Sequence, residues 1–293
     1  MVGSGWFLLG APWDCSGTGR GEARAPAALR AAGLASRVAA DLGDAATAIT
    51  SSRRDAATGV RAQADTVAAA HALAEALDAG IRVHPGRRPL IVGGDCSLLL
   101  GVFARPARPA AGLWFVDGHP DYLDPASSDT GETADLELAL LTGDGPAELT
   151  GLGGAAPMVP ARHVALIGHR TTGLDPASAR EVGRLPAGLF AIDAPAVIRD
   201  PAGSGRRAAA WADRLRLPMW LHLDVDVLDP TALPAVTYPQ PGGPDFGQLA
   251  ALLAPLAAAP RLLGLSVADF RPDLDPDGRH AARLVALLDR TLG

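Results

Sequence analysis

Trp114-Phe115-Val116-Asp117-Gly118-His119-Pro120-Asp121 is an apolar run that turns polar at its C-terminal end. Side chains at i, i+2 and i+4 of an extended segment share one face, so Asp117, His119 and Asp121 are placed to converge on one point. Trp220-Leu221-His222-Leu223-Asp224-Val225-Asp226 repeats the design, with His222, Asp224 and Asp226 on one face. Runs of this kind alternate along the chain with Ala/Leu/Arg-rich helical stretches, which is the pattern of βαβ units and a parallel sheet.

About eight strands are predicted, at Trp6–Gly10, Ala45–Ile49, Leu90–Val92, Gly112–Val116, His163–Gly168, Gly188–Ile192, Met219–Asp224 and Leu262–Val267. Helices are predicted at Ala25–Ala40, Ala62–Ala79, Gly205–Leu215, Phe246–Ala258 and Gly278–Leu292. The longest irregular region, Pro120–Pro160, directly follows a strand. Ligands of an open parallel sheet bind beyond the carboxyl ends of its strands, so specificity is expected to reside in this loop.

The 293 residues contain no Ser/Gly-rich or Pro-rich linker, and 48% hydrophobic with 20% charged residues is ordinary for a folded α/β protein. All 26 basic residues are arginine, and the net charge of −6 comes without any basic stripe interleaved with aromatics. Nucleic acid is therefore not an expected partner, and a small molecule is. No apolar run approaches the ~20 residues that span a bilayer, and no basic segment precedes the apolar N-terminal hexamer. The reading is a cytoplasmic protein with no membrane partner, whose Cys15 and Cys96 stay reduced.

Ionised carboxylates in an apolar strand are costly unless a positive group compensates them, and pairs at i, i+2 also repel. The chain has no lysine, and no arginine adjoins either segment in sequence, so a bound divalent cation is the economical explanation. Either segment alone also reads as a solvated strand exit; that explanation covers the two together poorly. Four carboxylates and an imidazole exceed what one structural zinc needs and suit two ions with bridging aspartates and a shared, acidified water. Such chemistry points to hydrolysis at an electrophilic carbon or phosphorus. A third stretch, Gly93-Gly94-Asp95-Cys96-Ser97, raises a separate question. Cys96 reads as a metal ligand, a thiol nucleophile or a small buried residue.

In their order, GGDCS, DGHPD and HLDVDVLDP resemble the ureohydrolase (arginase/agmatinase) signatures GGDHS, DAHxD and SxDxDxxDP. GEARAPAALRAAGL near the N-terminus, the IGHR strand end and Pro241-Gly242-Gly243 extend the resemblance over nearly the whole chain. It implies one arginase-like α/β domain over residues 1–293, a three-layer α/β/α sandwich around an eight-stranded, mostly parallel sheet, and a homotrimer or homohexamer. It implies two Mn²⁺, one held by Cys96, Asp117, Asp121 and Asp224 and the other by Asp117, His119, Asp224 and Asp226. A metal-bridging hydroxide would then attack an amidine or guanidine carbon, with Asp121 orienting it and passing its proton to the leaving amine.

The chain departs from the pattern around one pocket. Cys96 stands where the family has a histidine; thiolate is a soft donor, so Zn²⁺, Co²⁺, Ni²⁺, Fe²⁺ or a single ion becomes an alternative to manganese. His222 replaces a small hydroxyl residue and would either supply a nitrogen or hydrogen-bond an aspartate. The family's shuttle-histidine turn reads Gly131-Glu132-Thr133-Ala134-Asp135, without histidine, and its IGxRDVD continues as Thr171-Thr172-Gly173. Asp269 takes the position of the glutamate that faces the guanidinium, shorter but with the charge kept. Glu132 and Asp135 are read as caps of a helix over Leu136–Leu141 or as cation ligands, His169 as a substrate contact, and Cys15 as loop packing. The expected function is hydrolysis of a C–N bond in a linear guanidino or amidino compound other than arginine. The competing reading is a catalytically impaired subunit that assembles with an active homologue.

Overall fold

The computed structural model describes residues 5–105 and 108–293. Its strands are β1 (Trp6–Ala11), β2 (Ala40–Asp44), β3 (Arg88–Gly93), β4 (Gly112–Val116), β5 (Val164–Ile167), β6 (Phe190–Ile192), β7 (Met219–Asp224) and β8 (Leu262–Ala268). All pair in parallel in one eight-stranded sheet of order β2-β1-β3-β8-β7-β4-β5-β6. The helices are α1 (Ala25–Ala31), α2 (Gln63–Val83), α3 (Leu99–Phe103), α4 (Glu137–Thr142), α5 (Ala147–Thr150), α6 (Pro176–Arg184), α7 (Ala194–Arg199), α8 (Pro201–Leu215), α9 (Phe246–Ala257) and α10 (Arg279–Leu292). None among the described residues is long and apolar enough to cross a membrane.

The central strands are buried on both faces, which is why they read as continuous apolar runs. Their alternate residues feed two cores. Leu8, Val92, Trp114, Leu221 and Val267 pack beneath α1, α8, α9 and α10, while Leu9, Ile91, Phe115 and Trp220 pack beneath α2, α3 and α4. The outcome is the expected three-layer α/β/α sandwich. The helix α9 begins at a capping box in which Asp245 and Gln248 satisfy each other's backbone donors.

One strand lies elsewhere than predicted. The apolar alternation Ala45–Ile49 is irregular, with Ala45, Thr47 and Ile49 turned inward, and β2 is the preceding Ala-Asp-Leu-Gly-Asp. An edge strand pairs on one side only and needs no apolar run; its exposed Asp41 and Asp44 are held by Arg30 from α1, which also discourages edge-to-edge pairing. The predicted helix Ala25–Ala40 stops at Ala31, because Gly33 turns left-handed (φ 98°) and only a short 3₁₀ segment follows. Most of Pro120–Pro160 is irregular as expected, with α4 and α5 embedded in it.

Two residues fix the loops at the carboxyl ends of the strands. At Gly94 a Cβ would sit 1.5 Å from the Trp13 carbonyl oxygen, so only glycine lets the chain leaving β3 press against the chain leaving β1. Its N–H donates to Ala11 O at 3.1 Å and its carbonyl accepts from Asp269 N at 2.7 Å, tying β1, β3 and β8 together. Buried Arg170, just past β5, donates to the carbonyls of Gly168, Val227, Asp226, Leu228 and Gln240 at 2.7–3.3 Å. Its own N–H donates to Gly118 O at 3.0 Å, so β5 anchors the exits of both β4 and β7.

Gly94→Ala should cost about 1–3 kcal/mol or more, because the clash is with backbone and has no side chain to yield. Arg170→Met, which keeps most of the volume, should cost about 3 kcal/mol or more by leaving buried carbonyls unpaired. Chemical denaturation of each variant against the parent chain checks both values, and an unchanged midpoint would contradict the assigned role.

Candidate metal centre

In the sheet order, β3, β8, β7 and β4 are consecutive, so the chain segments leaving them meet at one edge. Asp224 is the last residue of β7, Asp117 and Asp269 each lie one residue beyond β4 and β8, and Cys96 lies three beyond β3. The extended geometry expected through residue 121 ends at Val116, and Asp226 lies in a 3₁₀ turn over Val225–Val227. Convergence is achieved by turns instead. Asp121 and Asp269 both adopt left-handed backbone (φ 48° and 67°), a strained conformation for residues with a Cβ that is characteristic of functional sites.

The turns are held by the carboxylates themselves. Asp117 accepts from His119 N at 2.6 Å, Asp224 from Asp226 N at 2.7 Å, and Asp226 from Gly118 N at 3.1 Å. His119 Nδ1 lies 2.8 Å from Asp226 Oδ2. Asp95 serves the framework: it accepts from Cys15 N at 2.7 Å and Ser97 N at 3.1 Å, capping the turn that carries Cys96. Cys15 is fully buried by that loop packing, and both cysteines are free thiols.

Four sets of side chains have donor atoms within 4.8 Å of one another: Asp117, His119 and Asp226; Asp117, His222 and Asp224; Cys96, Asp224 and Asp269; and Cys96, Asp121 and Glu137. Asp117 and Asp224 each belong to two sets, as bridging groups would. Buried Asp117 Oδ2, His222 Nε2 and both Glu137 carboxylate oxygens have no hydrogen-bond partner. Buried polar atoms are rarely left so, and cations held by these sets would account for them. Arg170 is the arginine that comes near; its charge favours that of Asp226, but its hydrogen bonds go to main-chain carbonyls and none to a carboxylate. The donors fit a divalent ion.

Electrostatics follow from burial and crowding. Burial, then neighbouring carboxylates, pushes Asp117 and Asp121 well above the usual carboxylate range, and burial does the same to Asp224 and Glu137. Burial also lifts Asp269, to about 7. Asp226 resists its burial and stays low, because the His119 ring and the Arg170 guanidinium favour its charge. The Cys96 thiol is pushed up by burial and by Glu137, Asp121, Asp269 and Asp224, and it donates to Ala134 O at 3.5 Å. Without a cation it is a poor nucleophile.

His222 hydrogen-bonds no aspartate. Its Nδ1 pairs with Ser266 Oγ at 2.8 Å and its ring stacks on Phe115, while burial drops its pKa to about 3. The ring is neutral, and the tautomer that donates to Ser266 leaves Nε2 facing Asp117 and Asp224 as an acceptor.

Two further expectations are corrected. His169 does not reach the cluster: Gly168 (φ 99°) turns the chain after β5, sending Arg170 toward β7 and His169 into a separate cavity with Phe190, Asp193 and Arg207. Glu132 and Asp135 do not cap α4, whose N-terminal boundary at Leu136 has no side-chain cap. A 3₁₀ turn over Thr133–Asp135 intervenes; Glu132 pairs with Arg20 Nη2 at 2.6 Å, and Asp135 accepts from Ser128 Oγ at 2.6 Å. Glu137 went unread. Its one signal was a lone carboxylate in the apolar run Leu136–Leu141, a group whose complete burial demands a partner.

Above the cluster opens a cavity of about 420 Å³, whose walls include Cys96, His119, Asp121, Asp224, Asp226 and Asp269. Arg20, Glu22, Asp135, Asp175, Glu181 and Tyr238 also line it, so carboxylates far outnumber the single arginine. Ala134, in the turn where the resemblance called for a histidine, also lines it.

A model of the arginase family matches residues 4–292. The chain is 30% identical over 297 residues to an arginase of Brevibacillus brevis, covering 98% of this chain and 97% of that protein. It is also 30% identical over 200 residues to an N(omega)-hydroxy-L-arginine amidinohydrolase of Streptomyces lavendulae, covering 68% of this chain and 66% of that one. The native structure of the Bacillus caldovelox arginase superposes with a TM-score of 0.85 at 28% identity, over 100% of this chain and 99% of that chain. Motifs read from the sequence, the sheet that brings them to one edge, and these matches along nearly the full length agree: the chain belongs to the arginase family.

Proposed function

We propose that this chain is a metal-dependent hydrolase of a C–N bond in a guanidino or amidino small molecule other than arginine. The observation that carries the reading is the pair of donor sets that share Asp117, one with His119 and Asp226 and one with His222 and Asp224, in which buried Asp117 Oδ2 and His222 Nε2 have no hydrogen-bond partner. Asp117, His119, Asp224 and Asp226 would hold one ion, and Cys96 and Asp121 would share Asp117 and Asp224 in holding a second. Bound there, divalent ions neutralise the carboxylates and make water acidic enough to act as a nucleophile near neutral pH. Manganese suits the histidine-bearing half, where all donors are nitrogen and oxygen; sulfur from Cys96 favours zinc or cobalt in the other.

The protein's own groups supply the rest. Asp121 sits at the floor of the cavity beside Cys96 and can take a proton from the attacking water and return it to the leaving amine. Asp269, one residue beyond β8 and within 4.8 Å of Cys96 and Asp224, offers a negative charge to a cationic amidinium, and Glu22, Asp135, Asp175 and Glu181 add to the negative lining of the cavity. Of the departures from the family pattern, Ala134 in the shuttle turn lines the cavity, while Thr171-Thr172-Gly173 after Arg170 brings no acid to it, Thr171 lining the separate cavity of His169; both support a ligand without arginine's amino-acid end. The relative that acts on N(omega)-hydroxy-L-arginine shows that a guanidino compound other than arginine falls within reach of similar chains.

Purified protein supplied in turn with Mn²⁺, Zn²⁺, Co²⁺ and Ni²⁺ should retain bound ions and release urea, or the corresponding product, from a member of a guanidino-compound panel, with arginine the poorer substrate. Failure to retain any of the ions removes the proposal. Ions retained without turnover, together with co-purification of an active homologue, would favour a non-catalytic subunit. Asp269→Asn should lower kcat/KM for a cationic substrate by at least ~30-fold, the equivalent of the ~2–5 kcal/mol typical of removing one partner of a buried charge pair. Steady-state kinetics with a cationic and a neutral amidine separate this effect from a general loss of activity.

A further inference from the structure

Glu137 is an ionisable side chain buried where no basic group among the described residues answers it. It is 0% exposed, and neither carboxylate oxygen has a hydrogen-bond partner. Its donor atom nevertheless lies within 4.8 Å of Cys96 Sγ and of an Asp121 carboxylate oxygen. The placement is built into the backbone. Leu138 N donates to Asp121 O at 3.2 Å, which fastens the first turn of α4 to the exit of β4, and Cys96 Sγ reaches Ala134 O three residues before Glu137. No arginine pairs with Glu137 among the described residues, so no side-chain cation answers this charge.

Resting on the two-ion reading above, we infer that Glu137 completes a thiolate–carboxylate site with Cys96 and Asp121, selective for a zinc-class ion, so that the chain's two metal positions differ in kind. Charge and donor softness lead there together. A histidine donates as a neutral ligand, whereas a cysteine donates as an anion; a thiolate beside Asp121 and Glu137 makes a strongly negative, buried donor set. A mixed sulfur and oxygen set suits zinc or cobalt over manganese, and four-coordinate zinc needs only one further donor, available from Asp117, Asp224 or water. The Asp117, His119 and Asp226 set has no sulfur and keeps the preference for harder ions. Binding releases to solvent the thiol proton and the protons that the carboxyl groups hold without a cation, and no change of oxidation state is involved.

Metal analysis of the full chain, equilibrated with equimolar Mn²⁺ and Zn²⁺ and then desalted, tests the inference without reference to turnover. The parent should hold one zinc and one manganese, and Co²⁺ in place of zinc should give a thiolate-to-cobalt charge-transfer absorption that Cys96→Ser abolishes. Glu137→Gln should lose the zinc or bind it at least ~100-fold more weakly, beyond the ~10–100-fold typical of losing only a supporting contact. It should keep the manganese, whose retention also reports an intact fold. Glu137→Asp should recover part of the zinc affinity. Cys96→His should shift that position toward manganese. If Glu137→Gln binds both ions as the parent does, Glu137 is not a ligand while the two-ion reading stands; if the parent holds no ion, the reading itself fails. A crystal of the zinc-loaded parent decides the matter should the variant not fold: a Glu137 oxygen at about 2.0–2.2 Å from the ion supports the assignment, and one beyond bonding range overturns it.

Discussion

Like charges gathered in a water-poor place are the constraint on which this molecule depends. Asp117, Asp121, Glu137, Asp224 and Asp226 lie within or beside the two cores of a parallel sheet, each at most 8% exposed. Desolvating any one of them is expensive, and each raises the cost of the next. Backbone N–H groups, the His119 ring and the Arg170 guanidinium relieve Asp226, and backbone N–H groups relieve part of Asp117 and Asp224; among the described residues no basic side chain pairs with Glu137. Such a cluster is stable as a carboxylate set only with a cation in it, and otherwise it holds protons.

The surrounding framework is organised to keep that cluster from relaxing. Gly94 closes β3 onto β1 and β8, Arg170 gathers the exits of β4, β5 and β7 through carbonyl groups, and the bond from His222 to Ser266 aligns a ring against Phe115. In each case a polar or conformational demand is met by main chain or a neutral group. The carboxylates are thereby left with free lone pairs pointing inward, which is the arrangement a metal needs and a structural salt-bridge network does not provide.

Legibility in the sequence followed burial. The central strands announce themselves because both faces are buried, and Asp117, His119, Asp121, Asp224 and Asp226 announce themselves because acids and imidazoles break those apolar runs at one end. The edge strand β2 was misplaced by a few residues, since a half-exposed strand carries no apolar signature and its register is set by pairing with β1. His169 was assigned to the wrong side because the left-handed turn at Gly168 reverses the alternation on which strand-face reasoning rests. Glu132 and Asp135 look like caps in a one-dimensional reading; the intervening 3₁₀ turn and the distant Arg20 decide their partners. Glu137 was hidden by its own helix, where a glutamate reads as a solvated residue until the packing of α4 beneath the loop is known.

The stretch from Pro120 to Pro160 has a further consequence. It supplies Asp121, Asp129, Thr130, Ala134 and Asp135 to the lining of the cavity, and Glu137 behind Asp121 and Cys96. On the proposed reading, one continuous piece of chain would carry part of the ion's ligands and part of the substrate's wall, while Cys96 comes from the exit of β3 and the histidine-bearing half of the centre from β4 and β7. Exchange of this segment would then alter both properties together and leave Cys96 and the other half of the centre in place.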